Sequence, residues 1–223
     1  MVVDPSEVFI ISDGSTTIHI PEWNEQYHSI HGAIQEANHV YIQHGLNYKT
    51  TNEIAVLEIG FGTGLNSFMT FLEAQEKELL IEYIGVEAHP ILQEELLKLN
   101  YVTKLDATQF TKVFESFHSC SWEEKHQITP KFSLLKRKQF FHDIDDENKF
   151  DVIYFDAFGA RVQPELWTEE IFLKMFLALK SEGVLVTYAA KGSVRRAMQS
   201  VGFSVERLPG PPGKREMLRA VKM

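Results

Sequence analysis

Three glycines at alternating positions constrain this chain more than any other feature of its sequence. Residues 54–59 (IAVLEI) form an apolar run typical of a buried strand, and Gly60, Gly62 and Gly64 follow it. Behind them, apolar residues recur on one helix face: Leu65, Phe68, Met69 and Leu72. Such a turn between a strand and a helix exposes backbone N–H groups and the positive end of the helix dipole to a ligand. The pattern predicts an α/β fold that binds an anionic or nucleotide-like ligand at this turn.

Strands and helices continue to alternate along the rest of the chain. Apolar runs predict strands over residues 81–87, 150–155 and 184–189, and a closing hairpin over 203–208 and 215–221. Apolar stripes predict the intervening helices: Leu92, Leu96 and Leu99 behind Pro90; a short helix around 108–117; Phe172, Met175, Phe176 and Leu179; and Val194, Ala197, Met198 and Val201. We therefore expect a Rossmann-like sheet of seven strands, mostly parallel, with an antiparallel last strand.

The third core strand is the least clear, because residues 101–149 lack a strong apolar run. Phe132–Leu135 and Lys138–His142 read as an inserted hairpin near 127–142. No linker or repeat divides the chain. We expect a single domain over 1–223, in which a core (51–223) follows an N-terminal extension (1–50) that packs on the site.

Composition narrows the cellular setting. Cys120 is the only cysteine, which excludes a disulfide framework, and no Cys/His spacing resembles a structural zinc site. No basic segment precedes an apolar stretch at the N-terminus, and no apolar run approaches the roughly 18 residues of a spanning helix. We expect a cytoplasmic protein with no membrane partner.

Charge is distributed unevenly along the chain. The net charge of −9 divides into about +6 over residues 187–223 and about −15 over 1–186. The basic residues of interest are Lys191, Arg195, Arg196, Lys214 and Arg215. They are either a footprint for a polyanion or an ordinary solvated basic surface, and the charge alone does not decide between the two.

Acidic residues near the strand ends indicate the type of cofactor. Glu87 ends the second predicted strand, 23 residues after Gly64, where a carboxylate can accept hydrogen bonds from both hydroxyls of a ribose. The third glycine falls one position earlier than in the dinucleotide fingerprint G-x-G-x-x-G, which favours S-adenosyl-L-methionine (SAM) over NAD. Glu58 before the turn is a candidate to face the cofactor's amino group, and Asp143 a candidate to meet the adenine amine. The alternatives are solvated strand-end acids and, for Asp143, a helix cap.

Several motifs together resemble one enzyme family, the MnmC-like tRNA methyltransferases. The motifs are Phe61-Gly62-Thr63-Gly64-Leu65-Asn66, Phe155-Asp156-Ala157-Phe158, Pro164-Glu165-Leu166-Trp167-Thr168 and Gly213-Lys214-Arg215-Glu216-Met217-Leu218. The resemblance begins near Tyr27-His28-Ser29 and runs to residue 223. It implies transfer of a methyl group from SAM to the amine of 5-aminomethyl(-2-thio)uridine at the tRNA wobble position, giving the 5-methylaminomethyl form. It also implies contact with the anticodon loop and a place for Asn66 at the cofactor.

The family also contains bifunctional enzymes with a flavin-dependent oxidoreductase half, which this sequence lacks. We therefore expect a stand-alone methyltransferase domain whose aminomethyl precursor is supplied by separate enzymes. Methyl transfer from SAM to an amine needs no metal. His28 and His31 are three apart in a predicted loop with no third ligand, so we expect no metal site.

Asp156 is the candidate catalytic residue, because it ends the strand 150–155 at the edge where parallel sheets present side chains to ligands. We expect it to hold the acceptor amine; the alternative is a loop-capping aspartate. Phe158 just beyond it can stack on an extruded pyrimidine, and Tyr27 in the N-terminal arm lies near the cofactor or base or else at the surface. We expect Trp167 to be a packing residue at a helix start; the alternative is a platform on which a base stacks. Two other functions stay open: transfer of a methyl or aminopropyl group to a small-molecule amine, and a non-catalytic SAM- or RNA-binding subunit.

Overall fold

The computed structural model describes residues 7–20, 25–27 and 31–223. A small antiparallel sheet at the N-terminus contains three strands: β1 (Glu7–Ile10), β2 (Thr16–Ile20) and β3 (Glu25–Gln26). Eight strands of the described chain form the main sheet, in the spatial order β10 (Ser204–Pro209), β11 (Glu216–Val221), β9 (Leu179–Thr187), β8 (Phe150–Phe155), β4 (Glu53–Ile59), β5 (Leu80–Val86), β7 (Phe132–Arg137) and β6 (Lys125–Thr129).

The five central strands of the main sheet are parallel. β4 lies in the middle and pairs with β5 on one side and β8 on the other. The chain fills the β5 and β7 side first and then crosses to β8 and β9, so the direction of winding reverses between β4 and β8. In open α/β sheets ligands bind beyond the carboxyl ends of the strands at such a reversal. This edge of the sheet is where the glycine turn and Asp156 both lie.

The predicted fold class is confirmed, with one strand more than expected. β11 runs antiparallel to both β9 and β10, as predicted for the last strand. The additional strand is β6, which pairs antiparallel with β7 at the far edge. Its sequence, KHQIT, has no apolar run because an edge strand is half exposed, so periodicity does not reveal it.

The prediction of an inserted hairpin near 127–142 was wrong in its register. Phe132–Arg137 is the third core strand itself, parallel to β5 with Phe132 opposite Ile81, and its hairpin partner precedes it. Residues 138–142 contain no strand. Polar side chains interrupt the apolar pattern of this strand, and their partners lie outside it; for example, buried Lys136 donates to the carbonyl of His118 at 2.9 Å.

Helices and turns connect the strands. The α-helices are α1 (Ala33–Ala37), α2 (Leu65–Lys77), α3 (Gln93–Leu96), α4 (Tyr101–Lys104), α5 (Thr111–Ser119), α6 (Glu169–Ala178) and α7 (Gly192–Ser200). A π-helical turn (Asn38–Gln43) continues α1, and 3-10 turns occupy Leu46–Tyr48, Thr108–Phe110, Phe141–Asp143 and Pro164–Trp167.

The helix predicted behind Pro90 is present but shorter than the stripe of Leu92, Leu96 and Leu99 suggested. α3 has four residues from Gln93 to Leu96; Leu92 is 61% exposed, and Leu99, beyond the helix, packs against a hydrophobic cluster. Because helices gain most of their stability from packing, a segment with so few buried side chains forms only a short helix.

Two hydrophobic clusters cover the two faces of the main sheet. Along β4, Ile54 and Val56 pack into one cluster, which includes the phenylalanines of α2 and α5. Leu57 and Ile59 pack into the other, beside α6 and α7. Burial on both faces explains why the sequence of β4 is a nearly continuous apolar run.

Candidate active site

A cavity of about 1380 Å³ opens at the carboxyl ends of β4, β5 and β8. Its wall combines the glycine turn, the segments after β5, β7, β8 and β9, and parts of the first 41 residues. Pockets for one small ligand have volumes of about 300–1,000 Å³. This cavity therefore has room for two ligands side by side.

The glycine turn forms one wall of the cavity through Gly60 and Gly62. Gly60 has φ +91°, and a Cβ there would lie 2.8 Å from the backbone oxygen of Asp156, so only glycine lets the turns after β4 and β8 touch. Gly62 has φ +46°, and a Cβ there would lie 3.1 Å from the ring of Tyr27. Gly64 faces away from the cavity, toward His118. Thus two of the three predicted glycines reach the cavity surface.

Glu87 lies at the end of β5 beside that turn, as the sequence predicted. Its two carboxylate oxygens accept hydrogen bonds from the backbone N–H of Gly62 at 3.1 Å and of His89 at 2.9 Å. Burial raises the pKa of this carboxyl above its ordinary value. Each carboxylate oxygen has further acceptor capacity, and the residue lines the cavity, so Glu87 can accept hydrogen bonds from a ligand there.

Glu58 and Asn66 lie in the cavity floor and contact each other. The Nδ2 atom of Asn66 donates to Glu58 at 2.9 Å and to Asp156 at 2.8 Å. The second oxygen of Glu58 accepts a hydrogen bond from the hydroxyl of Tyr83 at 2.8 Å. Burial raises the pKa of Glu58 well above its ordinary value. These contacts make both residues part of one buried network, which the sequence did not reveal.

Asp143 does not line the cavity, although the sequence suggested that it meets the adenine. It ends the 3-10 turn after β7, where its exposed carboxylate lies 3.4 Å from the ring of His142. The turn directs Phe141 inward, and Phe140, Phe141 and His142 are the cavity residues of this segment. A helical turn of three residues cannot point successive side chains the same way, so the acid faces outward.

Asp156 is held at the cavity floor from two sides. The hydroxyl of Tyr41 donates to its Oδ1 at 2.6 Å, and Asn66 donates to its Oδ2 at 2.8 Å. Burial raises the pKa of Asp156 to about 6, and the nearby carboxylate of Glu36 acts in the same direction. The two hydrogen bonds and the ammonium of Lys214 lower this pKa. The carboxyl is therefore mostly ionised at neutral pH and can accept a proton near it.

The N-terminal segment contributes directly to the cavity wall. Tyr27 packs edge-on against Phe158, with 5.2 Å between ring centroids, and both line the cavity. His31 lies against Gly213, whereas His28 is outside the described residues. Tyr27 and Phe158 thus lie where the sequence suggested. Glu36 and Tyr41 are additional cavity residues that the sequence analysis missed, since their helical segment carries no motif.

The predicted basic residues divide into two groups. Exposed Lys191 and Arg215 lie on the rim of the cavity, while Arg195 and Arg196 lie on α7 outside its lining. Lys214 is inside: its Nζ lies 2.8 Å from a carboxylate oxygen of Glu36 and 3.8 Å from the centre of the Tyr188 ring. The sequence analysis grouped Lys214 with the cations of the rim, whereas in the structure its ammonium is paired with the buried carboxylate of Glu36 inside the cavity.

Trp167 is a packing residue, as predicted. It is 5% exposed, and its Nε1 donates to the backbone oxygen of Phe158 at 2.8 Å, which fixes the loop after β8. Among residues 7–20, 25–27 and 31–223, no three His, Cys, Asp or Glu side chains are grouped to hold a metal ion. None of the described helices has the length and apolar character required to cross a membrane.

Comparison with known proteins extends the sequence resemblance. A family model described as S-adenosyl-L-methionine-dependent methyltransferase matches residues 99–223. The tRNA 5-methylaminomethyl-2-thiouridine biosynthesis bifunctional protein MnmC of Cupriavidus metallidurans is 26% identical over 97% of this chain and 34% of its own length. Its counterpart in Leptospira borgpetersenii is 28% identical over 88% of this chain and 32% of its own length. The chain thus spans about a third of the curated relatives it matches.

Solved structures agree on the fold. The crystal structure of MnmC2 from Aquifex aeolicus superposes with a TM-score of 0.80 at 24% identity, over 99% of this chain and 71% of that one. Spermidine synthase from Thermotoga maritima superposes with a TM-score of 0.54 at 16% identity, over 99% of this chain and 72% of that one. Together with the sequence relatives, these similarities confirm the predicted resemblance to MnmC methyltransferases.

Proposed function

Because this chain belongs to the S-adenosyl-L-methionine-dependent methyltransferase family, we propose that it methylates a modified tRNA. The acceptor is the amine of 5-aminomethyl(-2-thio)uridine at the wobble position, and the product is the 5-methylaminomethyl form. The names of the MnmC relatives support this substrate. The observation that carries the proposal is Asp156, an ionisable acid held by two donors at the floor of a cavity large enough for two ligands.

The residues around the glycine turn suit SAM. The turn after β4 has cavity-facing backbone at Gly60 and Gly62, and Glu87 offers preoriented carboxylate oxygens to the ribose hydroxyls. SAM, when bound, supplies an electrophilic methyl group. In the floor, Asn66 holds Asp156, and Glu58 in turn holds Asn66. Asp143 is outside this binding site because its side chain faces solvent.

Asp156 binds the acceptor amine and accepts its proton. A free aminomethyl group is mostly protonated near neutral pH, so an ionised Asp156 attracts it as a cation. Only the neutral amine has the lone pair that attacks a methyl group. With a pKa of about 6, Asp156 can hydrogen-bond the ammonium, take or pass on its proton and orient the resulting lone pair. The new bond joins the amine nitrogen to the methyl carbon, while the methyl–sulfur bond breaks and its electrons stay on sulfur.

The rim suits an RNA anticodon loop. Exposed Lys191 and Arg215 can contact phosphates at the cavity entrance, and Arg195 and Arg196 can extend this contact along α7. Tyr27 and Phe158 offer aromatic surface to a base turned out of the RNA stack. We infer that the protein works in the cytoplasm on tRNA whose wobble uridine already carries the aminomethyl group.

Two other functions would give different results in the methyl-transfer experiment described below. The spermidine synthase likeness concerns the fold alone, but transfer to a small amine would also use an acid at this strand end. The basic rim favours RNA over a small cationic amine, which it would repel. A non-catalytic subunit would not need Asp156, whose burial costs stability unless its hydrogen bonds are complete.

Methyl transfer from labelled SAM to tRNA tests the proposal. Undermodified tRNA should acquire label, and the same tRNA digested with RNase should not. Asp156→Asn should reduce the transfer rate at least about tenfold, or roughly 1.4 kcal/mol in barrier, with unchanged SAM affinity. The control Asp145→Asn removes an exposed acid from the loop before β8 and should keep the wild-type rate. A rate for Asp156→Asn within about twofold of wild type would exclude this role for Asp156.

A further inference from the structure

We propose that Tyr41 is the positioning residue for Asp156, so that the N-terminal segment completes the catalytic site. The proposal rests on the proposed function, since it assigns a role in the same proton-accepting step. The two residues are 115 positions apart in the sequence, and their side chains meet at 2.6 Å between the Tyr41 hydroxyl and Oδ1 of Asp156.

An unusual piece of backbone carries Tyr41 to this position. The helix α1 widens into a π-helical turn over Asn38–Gln43. Such turns are rare and occur frequently at functional sites. Three consecutive side chains of this turn are buried, Val40, Tyr41 and Ile42, so the turn is anchored on both sides of the tyrosine. The Tyr41 ring packs on that of Tyr154 of β8, two residues before Asp156, with 5.2 Å between centroids.

Tyr41 acts as half of a two-sided clamp on the carboxylate. Asn66 of α2 donates to the opposite oxygen, Oδ2, and its amide is in turn fixed by the buried carboxylate of Glu58. Rotation of the Asp156 carboxylate would break both hydrogen bonds. The clamp therefore fixes the direction in which the remaining lone pairs face the cavity. In-line attack on the methyl group requires a fixed orientation of the amine, so the carboxylate that orients the amine must itself be fixed.

The clamp also controls the charge of Asp156. Ionisable groups interact with Asp156 from every element packed against it, and Asn66 of α2 is a neutral donor. These groups are Glu36 from α1, Tyr41 from the π-helical turn, Glu58 from β4, Tyr83 from β5, Tyr188 after β9 and Lys214 from the β10–β11 turn. Burial and Glu36 raise the pKa of Asp156 to about 6, whereas the Tyr41 hydrogen bond lowers it. Loss of that hydroxyl therefore raises the pKa. Because only the ionised carboxylate accepts a proton, the acid limb of the pH–rate profile should then move to higher pH.

Tyr41→Phe is the appropriate perturbation, because it keeps the packed ring and removes only the hydroxyl. Tyr154→Phe is its matched control. Tyr154 is an equally buried tyrosine of the same cluster, but its hydroxyl contacts the Oγ1 of Thr70 at 3.2 Å. A general loss of core stability would affect both variants, while a loss of positioning would affect Tyr41→Phe alone.

The experiment measures the pH dependence of kcat, the KM for tRNA and the Kd for SAM in the wild type and both variants. For Tyr41→Phe we expect kcat at pH 7 to fall about tenfold, the acid midpoint to rise above its wild-type position and both binding constants to stay within about twofold. Tyr154→Phe should keep the wild-type profile. A wild-type kcat and midpoint in Tyr41→Phe, or equal losses in both variants, would overturn the proposal.

A second readout separates this proposal from the proposed function. Carboxyl NMR can follow the titration of Asp156 in the free protein, with Asp156→Asn used to assign its signal. The midpoint should rise in Tyr41→Phe and not in Tyr154→Phe, whichever acceptor the enzyme uses. If tRNA is not methylated and the midpoint still rises, the substrate assignment fails and the clamp stands. An unchanged midpoint in Tyr41→Phe refutes the clamp even if tRNA is methylated.

Discussion

Replacing Glu87 by alanine should weaken SAM binding strongly, because this carboxylate is the proposed acceptor for the ribose hydroxyls. Loss of charge-assisted hydrogen bonds to a ligand costs about 1.5–3 kcal/mol. That free energy corresponds to a rise in Kd of roughly 10- to 150-fold. Glu87→Gln keeps one oxygen acceptor but loses the charge, so its Kd should lie between those of wild type and Glu87→Ala.

The alanine variant has a second effect that must be separated from the first. Glu87 also accepts hydrogen bonds from the backbone N–H groups of Gly62 and His89, so its removal can loosen the glycine turn itself. A SAM analogue without ribose hydroxyls distinguishes the two effects. If Glu87 binds the ribose, the variant and the wild type should bind this analogue with similar affinity; if it only holds the turn, both ligands should lose affinity equally.

Isothermal calorimetry measures these affinities directly. Glu94→Ala, which removes an exposed acid from α3, is the control and should bind SAM as the wild type does. The pKa of Glu87 is raised by burial, and the ionised form is the better acceptor, so SAM affinity should fall as pH decreases through that pKa. A Kd for Glu87→Ala within about twofold of wild type would refute the assignment of this strand end to the ribose.

Two further variants, one single and one double, test the cavity wall and its rim. Gly62→Ala should weaken SAM binding, which calorimetry measures, because the new Cβ would press on the Tyr27 ring in the cavity wall. The chain should stay folded, which a thermal melt checks, because a φ of +46° costs an L-residue only about 1–2 kcal/mol. Lys191→Ala combined with Arg215→Ala should weaken tRNA binding and flatten its salt dependence without changing SAM affinity. The control Lys131→Ala removes a cation at the amino end of β7, at the sheet edge opposite to the cavity, and should keep the wild-type salt slope. A wild-type slope in the double variant would mean that these cations do not contact phosphate.

The sequence predicted those parts of the fold whose pattern is local. The run IAVLEI, the glycine turn and the stripe that begins at Leu65 together specify one strand–turn–helix unit, and the structure has β4 and α2 there. The third core strand was misassigned because Lys136 and Arg137 interrupt its apolar pattern. Their charges are accommodated by distant groups, such as Asp146 for Arg137 at 2.5 Å, and no local signal announces such partners.

The candidate site also contains residues that the sequence could predict and residues that it could not. Glu87 and Asp156 follow apolar strands, so their positions at the sheet edge could be inferred from the chain alone. Tyr41 and Glu36 could not, because their roles depend on how a helical segment of the first 50 residues packs on a sheet formed much later in the chain. The ion pair between Lys214 and Glu36 could not be inferred for the same reason, because it joins residues 178 positions apart.

Mass spectrometry of tRNA nucleosides identifies directly which nucleoside the protein methylates. Undermodified tRNA that carries 5-aminomethyl(-2-thio)uridine is incubated with the protein and SAM, digested and compared with a sample that received Asp156→Asn. With the wild type we expect the wobble nucleoside to gain one methyl group and become 5-methylaminomethyl(-2-thio)uridine; with the variant this product should form at least about tenfold more slowly. Unchanged nucleosides under conditions where the protein binds SAM, or a methyl group on any other nucleoside, would refute the proposed reaction.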